Sequence, residues 1–190
     1  MNGSENLPPQ TVSLILKQLR SLHSAAEPLE GISLHPTGED VSSLCADIVG
    51  PVETPYEGGV FTCKLVFGPD FPQTPPKGFF LTKIFHPNVS KAGEICVNSL
   101  KRDWEPSKGL AHVLLIIRCL LIVPNPDSAL NEEAGRLLLE DYASYFARAQ
   151  MLTKIHAKAS NTVEAKSDEP ALKRPKSALP AQKKKSLRRL

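Results

Sequence analysis

Between Gly31 and His86 the chain is interrupted every dozen residues or so by turn chemistry. The segments HPTGED, VGPVETPYEGG and FGPDFPQTPPKG separate short runs rich in β-branched and aromatic residues. Four runs remain, near 32–35, 43–49, 60–67 and 78–82. In VFTCKLVFG, Phe61, Cys63, Leu65 and Phe67 share one face while Thr62 and Lys64 point away. That period of two belongs to a strand with one buried side. Strands so close in sequence, joined by short turns, predict an antiparallel meander.

On either side the period is helical. Pro9 suits a first helical turn, with Asn6 upstream as a cap. Val12, Ile15, Leu16, Leu19 and Leu22 then recur at i, i+3 and i+4. After Trp104, GLAHVLLIIRCLLIV is apolar nearly all round, as a helix laid across a sheet should be. Its apolar run is broken by Arg118 and is too short to span a bilayer. Past the turn PNPDSA, residues 131–156 predict one long helix or two consecutive ones. Leu137, Leu138, Tyr142, Tyr145, Phe146, Ala149 and Leu152 mark its buried stripe. Strands first and helices afterwards indicate an α+β fold with one core. The expected architecture is a four-stranded antiparallel meander packed by an N-terminal helix, a central helix and C-terminal helices.

The texture fails from about Ala157. Residues 157–190 hold ten Lys or Arg and three acids, a charge of +7, leaving 13 basic and 17 acidic residues, −4, in 1–156. The last segment has few large apolar residues and three prolines, so it cannot bury enough surface to offset its ordering entropy. The expectation is a domain at 1–156 and a disordered basic tail at 157–190. The start, MNGSENLPP, lacks the basic-then-apolar pattern of a signal peptide, which points to the cytoplasm and nucleus.

Four cysteines, at 45, 63, 96 and 119, form no CxxC pair and have no histidines at zinc spacing, so no metal is expected. In a reducing compartment they are free thiols. Cys45 and Cys63 fall in strands and Cys119 in the apolar helix, where a small thiol packs as a hydrophobe. Cys96 differs. It lies in IFHPNVSKAGEICVNSLKRDW, which obeys neither period, with Lys101, Arg102 and Asp103 close by. Partial exposure beside cations is where a thiolate forms most easily.

His86-Pro87-Asn88 followed eight residues later by Cys96, in HPNV and GEICVNSL, resembles the active-site signature of ubiquitin-conjugating enzymes. PYEGGVF and FPQTPPKGFFLTKIFHPN before it, and Trp104 and PNPDSAL after it, are similar to that family's flanking elements, so the resemblance covers about residues 8–156. It implies that Cys96 takes ubiquitin from an activating enzyme as a thioester and yields it to a lysine amine. Sulfur serves as nucleophile and as leaving group in turn. Asn88 would donate to the developing oxyanion or hold a loop over the thioester. His86 would pack and bond inside its loop, as supporting structure. The attacking amine must lose a proton, and many relatives have a second acid in this turn where Ser128 stands here. Asp127, Asp103 or the acceptor would share that task, with Arg102 a near-site contact. No cofactor is expected to bind stably; ATP is used upstream by the activating enzyme.

ENLPP, LTKIFHPNV, GEICVNSLKRDW, SALNEEAGRLLLEDY and the closing LRRL extend the resemblance to chain-elongating members of the family. Those work with the anaphase-promoting complex and extend ubiquitin chains through the eleventh-residue lysine of ubiquitin. The resemblance then gives Glu132, Arg136 and Glu140, at i and i+4 on one helical face, to an acceptor-ubiquitin surface. It gives Cys119 to the donor-ubiquitin surface, although its sequence reads rather as core. Leu187, Arg188, Arg189 and Leu190 would dock the ligase. A non-catalytic ubiquitin-binding variant of the fold is argued against by Cys96 and Asn88. A basic-tailed nucleic-acid binder is argued against by the acidic domain and a tail without aromatics for stacking.

Overall fold

In the computed structural model the described residues are 7–24, 29–36, 41–102 and 104–158. Four strands, β1 (Ile32–Leu34), β2 (Ser43–Val49), β3 (Val60–Val66) and β4 (Lys77–Phe80), form one antiparallel sheet in the order β1-β2-β3-β4. The meander is as expected, and each boundary lies within about two residues of the sequence reading. Register pairs Ile32 with Ile48, Ile48 with Phe61, and Cys63 with both Ala46 and Phe80. Buried residues therefore line up across the sheet. Leu44, Ala46 and Ile48 on β2 face the same side as Phe61, Cys63 and Leu65 on β3. Each large side chain buried there contributes roughly 2 kcal/mol.

Five helices accompany the sheet: α1 (Pro9–His23), α2 (Val97–Lys101), α3 (Gly109–Ile122), α4 (Glu132–Glu140) and α5 (Tyr142–His156), with a 3-10 turn at Pro126–Ser128. α3 buries Leu110, Val113, Leu114, Ile117 and Leu121. α1 buries Thr11, Ile15 and Leu19 and is tied to the start of α3, where Leu110 N–H donates to Gln18 Oε1 at 3.1 Å. α1 is preceded by Pro8 with no side-chain cap; Asn6 lies outside the described residues, as do Asp103 and 159–190.

Three readings need correction, those of Tyr142, Cys45 and the segment after Cys96. Residues 131–156 take the second of the two expected arrangements, two consecutive helices, because Asp141 leaves helical geometry (φ −148°) and its carboxylate caps Ser144 N–H at 3.0 Å. That break resets the rotation, so Tyr142 is exposed while Tyr145 and Ala149 are buried. Cys45 sits on the outer face of β2 opposite Lys64 and is half-buried, since alternation gives the inner face to Leu44 and Ala46. α2 appears where neither period was visible, because five residues are too few to show one.

Candidate active site

The eight-residue spacing between Asn88 and Cys96 is the span of a small hairpin. Asn88 C=O accepts from Cys96 N–H at 2.9 Å, Val89 bridges Ile95, and Ser90 C=O accepts from Gly93 N–H at 2.9 Å. The turn is held to β4, where Phe80 N–H donates to Gly93 C=O (2.8 Å) and Ile95 N–H to Gly78 C=O (2.9 Å). Gly93 has φ +90°, and a Cβ there would lie 2.3 Å from the Phe80 carbonyl oxygen. Only glycine fits the close approach. Cys96 is thereby delivered to the head of α2, its carbonyl accepting from Ser99 N–H at 3.1 Å.

Each residue of His86-Pro87-Asn88 then fastens a different part of the chain. His86 Nε2 lies 2.8 Å from Leu120 C=O, which only accepts, so Nε2 carries the proton. Nδ1 accepts from Asn88 N–H at 2.9 Å. The ring is fully buried, and burial pushes its pKa down to about 4. It is a neutral strut. Pro87 C=O accepts from Leu130 N–H (2.8 Å) and Asn131 N–H (3.0 Å), fixing the approach to α4. Asn131 in turn caps that helix by accepting from Ala134 N–H at 3.2 Å.

Asn88 is also fully buried. Its Nδ2 donates to Asn125 C=O at 2.6 Å and Ser128 C=O at 3.0 Å, and its Oδ1 accepts from Asn125 N–H at 2.8 Å. The partners themselves fix the orientation of the amide. Both amide hydrogens are taken up by the loop, so the amide is arranged as a loop clamp. Asn125 Oδ1 also accepts from Asp127 N–H at 3.1 Å, starting the 3-10 turn.

Behind the strut, Tyr56 O–H donates to Phe85 C=O at 2.9 Å and meets Tyr145 O–H at 2.7 Å. Burial pushes Tyr145 up to about 12 and Tyr56 well above its usual value. The Phe85 ring lies 6.2 Å from that of Tyr145, and the Arg148 guanidinium sits 4.7 Å over it.

Cys96 is 5% exposed rather than open. It lies in a depression of about 200 Å³ that Val97, Asn98 and Leu130 also line, so neighbouring chain shields the thiol from solvent. Asp127 is exposed and Ser128 half-buried at the loop that Asn88 clamps. Arg102 is exposed at the end of α2 and lines a second depression with Leu120 and Asn125. Glu132, Arg136 and Glu140 are exposed on α4, with Arg136 Nη1 2.9 Å from Glu140 Oε2. Cys119 is exposed, against its core reading. α3 faces solvent there, and Leu115 and Ile122 are 39% and 48% exposed one turn to either side. Asp103 and Leu187–Leu190 lie outside the described residues. Sequence reasoning missed Pro87, Asn125 and Leu130. Asn-Pro-Asp announced a turn, but nothing local announced its partner 37 residues upstream.

Among the described residues no group of three or more His, Cys, Asp or Glu could hold a metal, and no helix is long and apolar enough to cross a membrane.

A meander sheet crossed by a central helix, with a cysteine hairpin clamped under His-Pro-Asn, is the architecture of a ubiquitin-conjugating domain. The family model described as ubiquitin-conjugating enzyme matches residues 14–153, and the chain belongs to that family. It is a ubiquitin transferase, which implies ubiquitin, an activating enzyme and a ligase as partners. Similar proteins include ubiquitin-conjugating enzyme E2 S of Danio rerio, 61% identical over 158 residues covering 83% of this chain and 71% of that protein. The Homo sapiens ubiquitin-conjugating enzyme E2 S is 59% identical over 160 residues, covering 84% and 71%. A crystal structure from Plasmodium yoelii, described as a ubiquitin conjugating enzyme, aligns with a TM-score of 0.70 at 33% identity, covering 84% of this chain and 99% of that one.

Proposed function

We propose that Cys96 carries ubiquitin as a thioester and passes it to a lysine of an acceptor ubiquitin, elongating lysine-eleven-linked chains with the anaphase-promoting complex. The observation that carries the reading is the position of Cys96 at the head of α2, its backbone hydrogen-bonded to Asn88. The similarity to proteins named E2 S supports the finer assignment.

The Cys96 thiolate attacks the thioester carbonyl of charged activating enzyme and expels that enzyme's thiolate. An acceptor lysine, as free amine, then attacks the Cys96 thioester; the tetrahedral intermediate collapses, the C–S bond breaks and an isopeptide bond remains. The ammonium proton passes to water or to an acid near the site, with exposed Asp127 the acid that the clamped loop offers. Ser128 supplies no carboxylate there. Asn88 acts by holding that loop in place. Glu132, Arg136 and Glu140 orient the acceptor, and Cys119 lies on the donor-binding face of α3. Residues 157–190 form a tail whose Leu187–Leu190 docks the ligase; the enzyme works in cytoplasm and nucleus and holds no cofactor of its own.

The test is charging with activating enzyme, ATP and ubiquitin, read on gels with and without reductant. A reductant-sensitive adduct is expected, absent in Cys96→Ala. Chains built from ubiquitin whose sole lysine is the eleventh should form, and removal of Leu187–Leu190 should spare charging but impair elongation with the complex. A reductant-sensitive adduct persisting in Cys96→Ala overturns the nucleophile. Chains that form equally well without the eleventh-residue lysine overturn the linkage.

A further inference from the structure

Away from Cys96, a groove of about 430 Å³ opens between the segment following β4, the hairpin turn at 90–93, and helices α4 and α5. That volume lies within the range of sites that take a ligand or a few side chains. Its accessible apolar surface comes from exposed Leu81 and half-buried Ile84 and Leu152, laid over buried Phe80 and Phe85. Its ionic groups are unbalanced, with Lys83, Lys91 and Arg148 facing a single acid, Glu133. Arg148 is already bonded to Glu133 and stacked on Phe85. Among the described residues Lys83 and Lys91 form no ion pair. Residues 1–156 carry a formal charge of −4, so this is a basic island on an acidic domain.

We propose that the groove docks an acidic linear peptide of a partner protein, one apolar side chain seated on Leu81, Ile84 and Leu152 and its flanking carboxylates on Lys83 and Lys91. The apolar floor gives the complex its burial, and the two lysines supply attraction and register. A nucleic acid suits the groove less well. A base would need a ring to stack on, and Phe80 and Phe85, 4% and 5% exposed, offer no free ring face. The proposal goes beyond ubiquitin transfer and does not depend on the role of Cys96.

The experiment titrates the ¹⁵N-labelled full chain with a synthetic peptide, a Leu-Phe pair flanked on each side by two aspartates, at 50 and 200 mM salt. Saturable shifts are expected at Lys83, Lys91, Arg148 and Leu152, weakening at the higher salt. Affinity should fall at least tenfold in K83E/K91E, and at least fivefold when the Leu-Phe pair is replaced by serines. Both lysines are exposed, so K83E/K91E should keep its thermal midpoint and ubiquitin charging. Absence of shifts at the groove up to millimolar peptide overturns the proposal, as does unchanged binding to K83E/K91E. Displacement of the peptide by a twelve-nucleotide single strand also overturns it, in favour of a nucleic-acid surface.

Discussion

Asn88 closes on Asn125 with both of its polar atoms. Oδ1 accepts from the Asn125 N–H at 2.8 Å and Nδ2 donates to the Asn125 carbonyl at 2.6 Å. One side chain thus replaces a rung of backbone ladder between segments 37 residues apart.

Asn88→Asp is the sharpest test of that clamp. It keeps the shape but removes both donors and sets a buried oxygen against the carbonyls of Asn125 and Ser128. Stability should fall by about 3 kcal/mol, read by urea denaturation. Discharge to lysine should slow by about 10²-fold, through misplacement of the loop. Unchanged stability would mean that the loop is held by other contacts.

His86 gives the fold an acid-side limit. The unfolded chain binds a proton near pH 6.5, whereas the buried ring stays neutral until about 4. Between those values the unfolded state holds more protons, so stability rises with pH. The contribution is whole above about 6.5, is lost as pH falls toward 4, and amounts to roughly 3 kcal/mol. Urea midpoints measured from pH 7 to 4 should show this slope, flattened in His86→Gln.

Tyr56→Phe leaves the Phe85 carbonyl and the Tyr145 hydroxyl without their partner, at a cost of about 2–4 kcal/mol. Adding Tyr145→Phe removes one of the two orphans. The double variant should therefore cost less than the sum of the singles by more than about 0.5 kcal/mol. Additive thermal or urea data would show that the two hydroxyls act independently.

The thiols should react in an order set by the fold. Iodoacetamide followed by peptide mass spectrometry should label exposed Cys119 first, and half-buried Cys45 and shielded Cys96 more slowly. Cys63, fully buried and pushed up to about 12, should react only after unfolding. Early modification of Cys63 would contradict the packing of β3.

What was legible in the sequence depended on range. The alternation in VFTCKLVFG gave β3 and its buried face directly, because strand burial repeats every two residues. The His-Pro-Asn and cysteine signature marked the site by resemblance, but the hairpin behind its spacing of eight came only with the structure. The clamp partners were not legible. Asn88 reaches Asn125 and His86 reaches Leu120 through tertiary contacts, and a backbone carbonyl can be offered by any residue type. Tyr142 was misplaced for a related reason, since helical phase counts only within one helix and Asp141 ends the first.

The arrangement around His86-Pro87-Asn88 also sets an order in time. A chain emerging from the ribosome delivers Cys96 well before Leu120, Asn125, Ser128 and Leu130 exist to meet the imidazole, the proline carbonyl and the asparagine amide. Domains acquire their structure as units, and the surroundings of this thiol are completed by the far end of the unit. An unfinished copy therefore carries the sulfur without its frame, which residues made some thirty positions later complete.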